Sequence, residues 1–261
     1  MPPRDSYTEG TPNWVDLQTT DLDAAKTFYT AVFGWSYDDM PMGEDEVYSM
    51  AMLGGATVAA IARQRPQLAE AGVPPMWNTY IAVDDVDATA AKVAPAGGTM
   101  MMEPSDVFEA GRMAWVGDPT GASAGLWQAR RHIGATLVNE PGALTWNELI
   151  SDELPRALPF YQQILGITAH DEPMGEMPYT ILRVGGEMVG GAMGPMMEGV
   201  PNHWHVWFGV ADADAAAAAA RDAGGEVMHG PDDMPIGRFA VIRDPQGAVF
   251  SVNAMRPQGE Q

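Results

Sequence analysis

The chain has 261 residues, a formal net charge of −21 with only 14 Lys and Arg, and no cysteine. That surface repels phosphate backbones and sets nucleic acid aside as a partner, while the missing cysteines exclude disulfides, thiolate metal sites and a cysteine nucleophile. No run is long and apolar enough to cross a bilayer, and the polar start MPPRDSYTEG has no apolar signal core, so no membrane partner and a cytoplasmic location are expected.

After a loosely attached lead over residues 1–11, Trp14 to Thr19 alternates as a strand with Trp14, Asp16 and Gln18 on one face. Thr20-Asp21 offers an N-cap to a helix with an apolar stripe at Leu22, Ala25, Phe28, Tyr29 and Val32. Strands are predicted at 46–53 and 57–62 around a Gly54-Gly55 turn, followed by a loop, RQRPQLAEAGVPP. A second unit follows: strand 77–83, a helix over 84–96 closed by Gly97-Gly98, and strands at 99–103, 112–117 and 122–128. Its last two strands are joined by the turn DPTG. Nineteen methionines serve mainly as core filler, with some available to line an adaptable pocket.

The same order then returns. Phe28-Tyr29 recurs as Phe160-Tyr161, Trp14 as Trp146, Asp16 as Glu148 and Gly34 as Gly166, all 132 residues apart. GRMAWVGDPTGA at Gly111 and GRFAVIRDPQGA at Gly237 are one piece used twice. The chain is therefore read as α+β, with four βαβββ modules paired into two similar domains. These are residues 11–130 and 143–255, joined by a linker at 131–142. Helices cover one face of each sheet, so the other face is expected to form a concave cleft with the helices outside.

The four modules, the D-x(6)-F-Y-x(4)-G helix and the D-P-x-G hairpin resemble the vicinal oxygen chelate superfamily, which includes glyoxalase I, extradiol dioxygenases, and fosfomycin- and bleomycin-resistance proteins. The chain is most similar to the two-domain glyoxalase-like proteins of actinobacteria. The resemblance implies metal ligands at a His or Gln on the first strand of a module and a Glu on the last. Those positions fall here on Trp14, Asn78, Trp146 and His205, and on Ala60, Gly125, Gly191 and Ser251. Only His205 keeps a ligand type, since an indole has no lone pair to give a metal. No cofactor is therefore expected. The alternative is a divalent metal in the second domain on His205, His203 and Glu148.

Period-two alternation gathers the remaining candidates. The first cleft collects Trp14, Asp16, Gln18, Asn78, Tyr80 and Trp127. The second collects Trp146, Glu148, His203, His205, Trp207, Ser251 and Asn253. Each has a plain rival reading: structural pairing for the carboxylates, satisfied hydrogen bonds for the histidines and core packing for the indoles. Arg112 and Arg238 start matching strands and are better read as carboxylate partners than as anion anchors.

Two readings of function stand. One is a metal-independent binder that holds a small aromatic or oxygenated molecule in a Trp-lined cleft. The other is a glyoxalase-type lyase or isomerase using His205 and Glu148 as catalytic residues. In either case the partner is a small molecule. Four modules in one chain satisfy a monomer, and free edge strands leave a homodimer open.

Overall fold

The computed structural model describes residues 4–43, 46–172 and 177–256. The first module runs β1 (Pro12–Thr19), α1 (Leu22–Phe33), β2 (Ser36–Pro41), β3 (Val47–Leu53) and β4 (Ala56–Arg63). A short helix, α2 (Pro66–Glu70), leads to β5 (Met76–Ala82), α3 (Val86–Val93), β6 (Thr99–Val107), β7 (Gly111–Gly117) and β8 (Ser123–Ala129). The second half repeats this as β9 (Leu144–Ile150), α4 (Leu154–Leu165), β10 (Thr168–Asp171), β11 (Thr180–Val184) and β12 (Glu187–Met193). It ends with β13 (His203–Gly209), α5 (Ala213–Asp222), β14 (Glu226–Met234), β15 (Gly237–Arg243) and β16 (Val249–Met255).

Local chemistry sets these bounds. The carboxylates of Asp21, Asp85 and Asp212 accept from backbone N–H groups in the first turns of α1, α3 and α5. Gly34 and Gly166 end α1 and α4 in the left-handed conformation, at φ 73° and 68°. Helix α3 is shorter than the predicted 84–96 at both ends, starting after its cap Asp85 and ending at Val93. Strands β2 and β10 were not foreseen. Both are short edge strands, and all but one of their residues are exposed, so neither shows an apolar alternation to read. Helix α2 falls in the stretch read as a loop and buries nothing.

The two four-stranded pieces of each half do not face one another as separate sheets. They join side by side through β1–β5 and β9–β13, giving eight-stranded mixed sheets ordered β2-β3-β4-β1-β5-β8-β7-β6 and β10-β11-β12-β9-β13-β16-β15-β14. The helices lie outside each curve, but they also lie between the halves: α1 packs on α5 and α3 on α4. One apolar core therefore draws on both halves, with Phe28, Phe33 and Trp35 against Phe208 and Phe250, and a second joins Ile81, Val86 and Leu126 to Phe160 and Trp204. Two aromatic relays tie the joint. Trp77 Nε1 donates to Tyr29 Oη at 3.0 Å, and Tyr29 donates to Asp244 of the other half at 3.0 Å. In the matching place Trp204 Nε1 donates to Tyr161 Oη at 2.9 Å, and Asp118 of the first half stands beside that hydroxyl.

Candidate functional site

Back-to-back packing leaves two concave faces, and β1 and β9 place a carboxyl in the middle of each. Asp16 stands opposite Ala60 on β4 and Asn78 on β5, and Glu148 opposite Gly191 on β12 and His205 on β13. Both carboxyls are buried, at 2% and 4% exposure. Each is held by the same relay. Trp14 Nε1 donates to Tyr48 Oη at 2.8 Å, and Tyr48 donates to Asp16 at 3.0 Å. Trp146 Nε1 donates to Tyr179 Oη at 2.9 Å, and Tyr179 donates to Glu148 at 2.6 Å. Sequence reading missed Tyr48 and Tyr179. Tyr48 lies on β3 and Tyr179 just before β11, 131 residues apart, so they fall one residue off the 132-residue offset that paired the other sites.

The two faces then diverge. Asp16 also accepts from Asn78 Nδ2 at 2.8 Å and Tyr80 Oη at 2.8 Å, so it has three donors. Burial pushes its carboxyl above the usual range, and the three hydrogen bonds pull it back. The linker closes this cleft. His132 sits edge-on to Trp14 at 4.5 Å and Trp127 at 5.6 Å. Trp127 Nε1 donates to the His132 carbonyl, Asn13 Nδ2 to that of Ile133, and Tyr7 to that of Ala135. Burial lowers the His132 imidazole to about 4, and its Nε2 finds no partner among the described residues. Trp14 and Trp127 are therefore wall residues of a filled space and do not offer the open stacking surfaces expected of them. Their N–H groups are consumed inside the protein. Gln18, at the edge of this face, has an Oε1 without a partner among the described residues.

The second cleft is more open. Trp146, Trp207 and His203 are only partly buried there. Glu148 has one phenol donor. Burial pushes its carboxyl up, and the hydrogen bond from Tyr179 holds it back. Trp207 takes the place that Tyr80 has in the first half, and its indole N–H is buried without completing a hydrogen bond. It faces Glu148 closely enough to pull the carboxyl down as well, but the strict geometry of a bond is not met. His205 does not pair with Glu148. Its Nε2 lies 2.7 Å from Ser251 Oγ, and burial, with His203 beside it, lowers its imidazole to about 3. His203 Nδ1 lies 2.8 Å from the Pro201 carbonyl oxygen, a contact that requires the hydrogen on Nδ1. Asn253 is occupied by Thr145 Oγ1 at 3.1 Å. The catalytic His205–Glu148 pair expected from sequence is thus two separate groups.

A metal does not fit these residues. Among the described residues no three His, Asp or Glu side chains converge as a ligand set. The reason is local. A Cβ on Gly191 would lie 1.9 Å from Tyr179 Oη, and one on Gly125 would lie 2.3 Å from the Tyr80 ring. Tyrosines occupy the space that last-strand glutamates would need. Arg112 and Arg238 pair with Asp87 and Asp214 at the surface, as carboxylate partners. A groove of about 630 Å³ between α1, α5 and Pro245 lies on the convex side. Alanines dominate its lining, and none of the polar groups above reach it. Among the described residues, no helix is long and apolar enough to cross a membrane.

The sequence profile of the Glyoxalase/Bleomycin resistance protein/Dioxygenase superfamily matches residues 11–124 and 143–252, one copy per half. The chain belongs to this superfamily. Within it, the chain is 59% identical to the "Putative glyoxylase CFP32" of Mycobacterium tuberculosis, covering 99% of this chain and all of that one. It is 35% identical to the "Anthracycline biosynthesis protein DnrV" of Streptomyces peucetius over 96% and 95% of the two chains. Among solved structures, the Mn(II)-bound glyoxalase from Novosphingobium aromaticivorans superposes with a TM-score of 0.66 at 20% identity, covering 95% of this chain and 83% of that one. The superfamily fold expected from the four modules is borne out, and so is the duplication.

Proposed function

We propose that this protein binds a small aromatic or oxygenated molecule in the second-domain cleft without a metal. One observation carries the reading: Glu148 is a buried carboxyl with a single phenol donor, next to partly exposed indoles, whereas its twin Asp16 is fully bonded and sealed. One phenol does not fill the acceptor capacity of a carboxylate, and an incoming hydroxyl can donate to it. The unpaired Trp207 N–H points the same way. Trp146 and Trp207 give flat faces for the ring system. The name of the Streptomyces peucetius relative, which concerns anthracyclines, supports a planar, oxygenated aromatic ligand.

A second reading is a glyoxalase-type lyase or isomerase, supported by the name of the mycobacterial relative and by Glu148. A carboxyl raised by burial suits general acid–base work near neutral pH. The separation of His205 from Glu148 weighs against their acting as a dyad.

The test is calorimetric titration of chelator-treated protein, with metal content checked by mass spectrometry, using 4-hydroxybenzaldehyde as probe. Saturable binding is expected without metal, weakened by Glu148→Gln. Binding that appears only when a divalent ion is returned overturns metal independence. Turnover of a methylglyoxal–thiol adduct that is lost in Glu148→Gln favours the second reading.

A further inference from the structure

The polar floor of the second cleft continues into a row of rings. Strand register sets the path. Trp207 lies opposite Ser251, Ser251 opposite Val241, and Asn253 opposite Phe239. Phe239 in turn lies opposite Asp232 on the edge strand β14, and Val241 opposite His229. Cross-strand partners share a face, so these side chains continue the concave surface outward from Glu148 and His205. Trp207 and Phe239 have ring centroids 5.8 Å apart at 45°, and Phe239 and His229 are 5.6 Å apart at 38°. Exposure rises along the row: His205 is buried, Trp207 and Phe239 are partly buried, and His229 is exposed. At the outer end His229 Nε2 stands 3.2 Å from Asp232 Oδ2.

Ring pairs across strands also stabilise a sheet, and that role would suffice for rings placed anywhere. It does not account for their lying on the concave side, in a graded line from a polar floor to an open rim. The first domain, whose cleft is filled by His132, places its rings differently: Tyr80 and Trp115 have centroids 5.2 Å apart, and Met113 stands opposite Trp127 where Phe239 stands opposite Asn253. Among the described residues, the line of rings reaches the edge strand in the second cleft, at His229 on β14, and stops at Trp115 on β7 in the first.

We infer, on the reading that the second cleft is the ligand site, that Phe239 and His229 form an outer subsite for a planar ligand of two or more fused rings. The oxygen-bearing end of that ligand points in toward Glu148. The row is longer than a single six-membered ring, and a one-ring ligand that reaches Glu148 leaves Phe239 and His229 uncovered.

The experiment compares two probes that carry the same substituents, 4-hydroxybenzaldehyde and 6-hydroxy-2-naphthaldehyde, by calorimetric titration. The two-ring probe is expected to bind about tenfold tighter, the worth of one well-placed ring contact. Phe239→Ala should bring it down to the affinity of the one-ring probe and leave the one-ring probe unchanged. Phe239→Leu keeps apolar volume in the sheet and should lose most of the same preference, which separates the ring from a folding defect. Equal affinities in the wild type, or equal weakening of both probes by Phe239→Leu, overturn the outer subsite while leaving the inner site standing. No heat with either probe overturns the ligand-site reading, and the subsite falls with it.

Discussion

A Cβ added to Gly191 would sit 1.9 Å from the hydroxyl oxygen of Tyr179. The bare glycine is the opening through which that phenol reaches Glu148 at 2.6 Å. Gly191→Ala should therefore displace Tyr179 and strip Glu148 of its donor. Overpacking of this kind costs about 1–3 kcal/mol. Tyr179→Phe leaves the ring in place and removes only the hydroxyl, at a cost of about 1–3 kcal/mol. Urea unfolding at neutral pH measures both. The double variant should lose less than the two single losses together, because both break one bond. Full additivity would mean that Gly191 does not act through Tyr179.

His132 makes the fold sensitive to acid. A histidine in the unfolded chain titrates near 6.5, and burial holds His132 at about 4. Above pH 6.5 both states carry neutral imidazole and nothing is lost. As pH falls from 6.5 to 4, the unfolded chain takes up a proton that the folded chain refuses, so stability drops by at most about 3 kcal/mol. Below 4 the loss is constant. His205, held at about 3, extends the same trend to lower pH. The raised carboxyls of Asp16 and Glu148 act oppositely, since the folded state protonates them first. His132→Gln should flatten the decline in melting temperature between pH 6.5 and 4. An unchanged slope would show that the His132 imidazole is not held neutral by burial.

The same ring fills the space between Trp14 and Trp127, so His132→Ala should open a cavity there. Large-to-small changes in a packed site cost roughly 2–5 kcal/mol. Free imidazole, which matches the deleted group, should raise the melting temperature of the variant and leave the wild type unmoved. If imidazole raises neither, the linker has collapsed into the gap or the site was never sealed by the ring.

What was legible in the sequence follows from what repeats. Paired motifs such as Phe28-Tyr29 with Phe160-Tyr161 place four modules without any structure, and strand alternation puts Asp16 and Glu148 on concave faces correctly. Alternation gives a face but no partner, so Tyr48 and Tyr179, which lie outside β1 and β9, stayed hidden until register joined them to the carboxyls. The seal on the first cleft was illegible for a related reason. Residues 131–142 read as a linker because they have no periodicity, and several of their hydrogen bonds run to strands far away in sequence, from Asn13 to Ile133 and between Thr57 and Thr136. His205 and Glu148 were expected to work together because alternation puts both in the second cleft, and register makes them cross-strand neighbours. Side-chain direction separates them, sending one to Ser251 and the other to Tyr179.

The joint between the halves rests on buried hydroxyls, and Tyr29 is its most connected member. It donates to Asp244 and accepts from Trp77, both at 3.0 Å, while Asp244 Oδ1 also accepts from the backbone N–H groups of Gln246, Gly247 and Ala248. Tyr29→Phe removes one oxygen and leaves two buried polar groups facing a ring edge. Each unsatisfied group costs about 1–3 kcal/mol. Because the apolar core around Tyr29 draws on both halves, the loss should appear in one shared transition. Denaturant unfolding followed by tryptophan fluorescence and by circular dichroism should therefore shift together, with the slope unchanged. Splitting into two transitions would mean that the Tyr29–Asp244 contact itself couples the halves, and that the shared aromatic core is not enough to keep them folding as one.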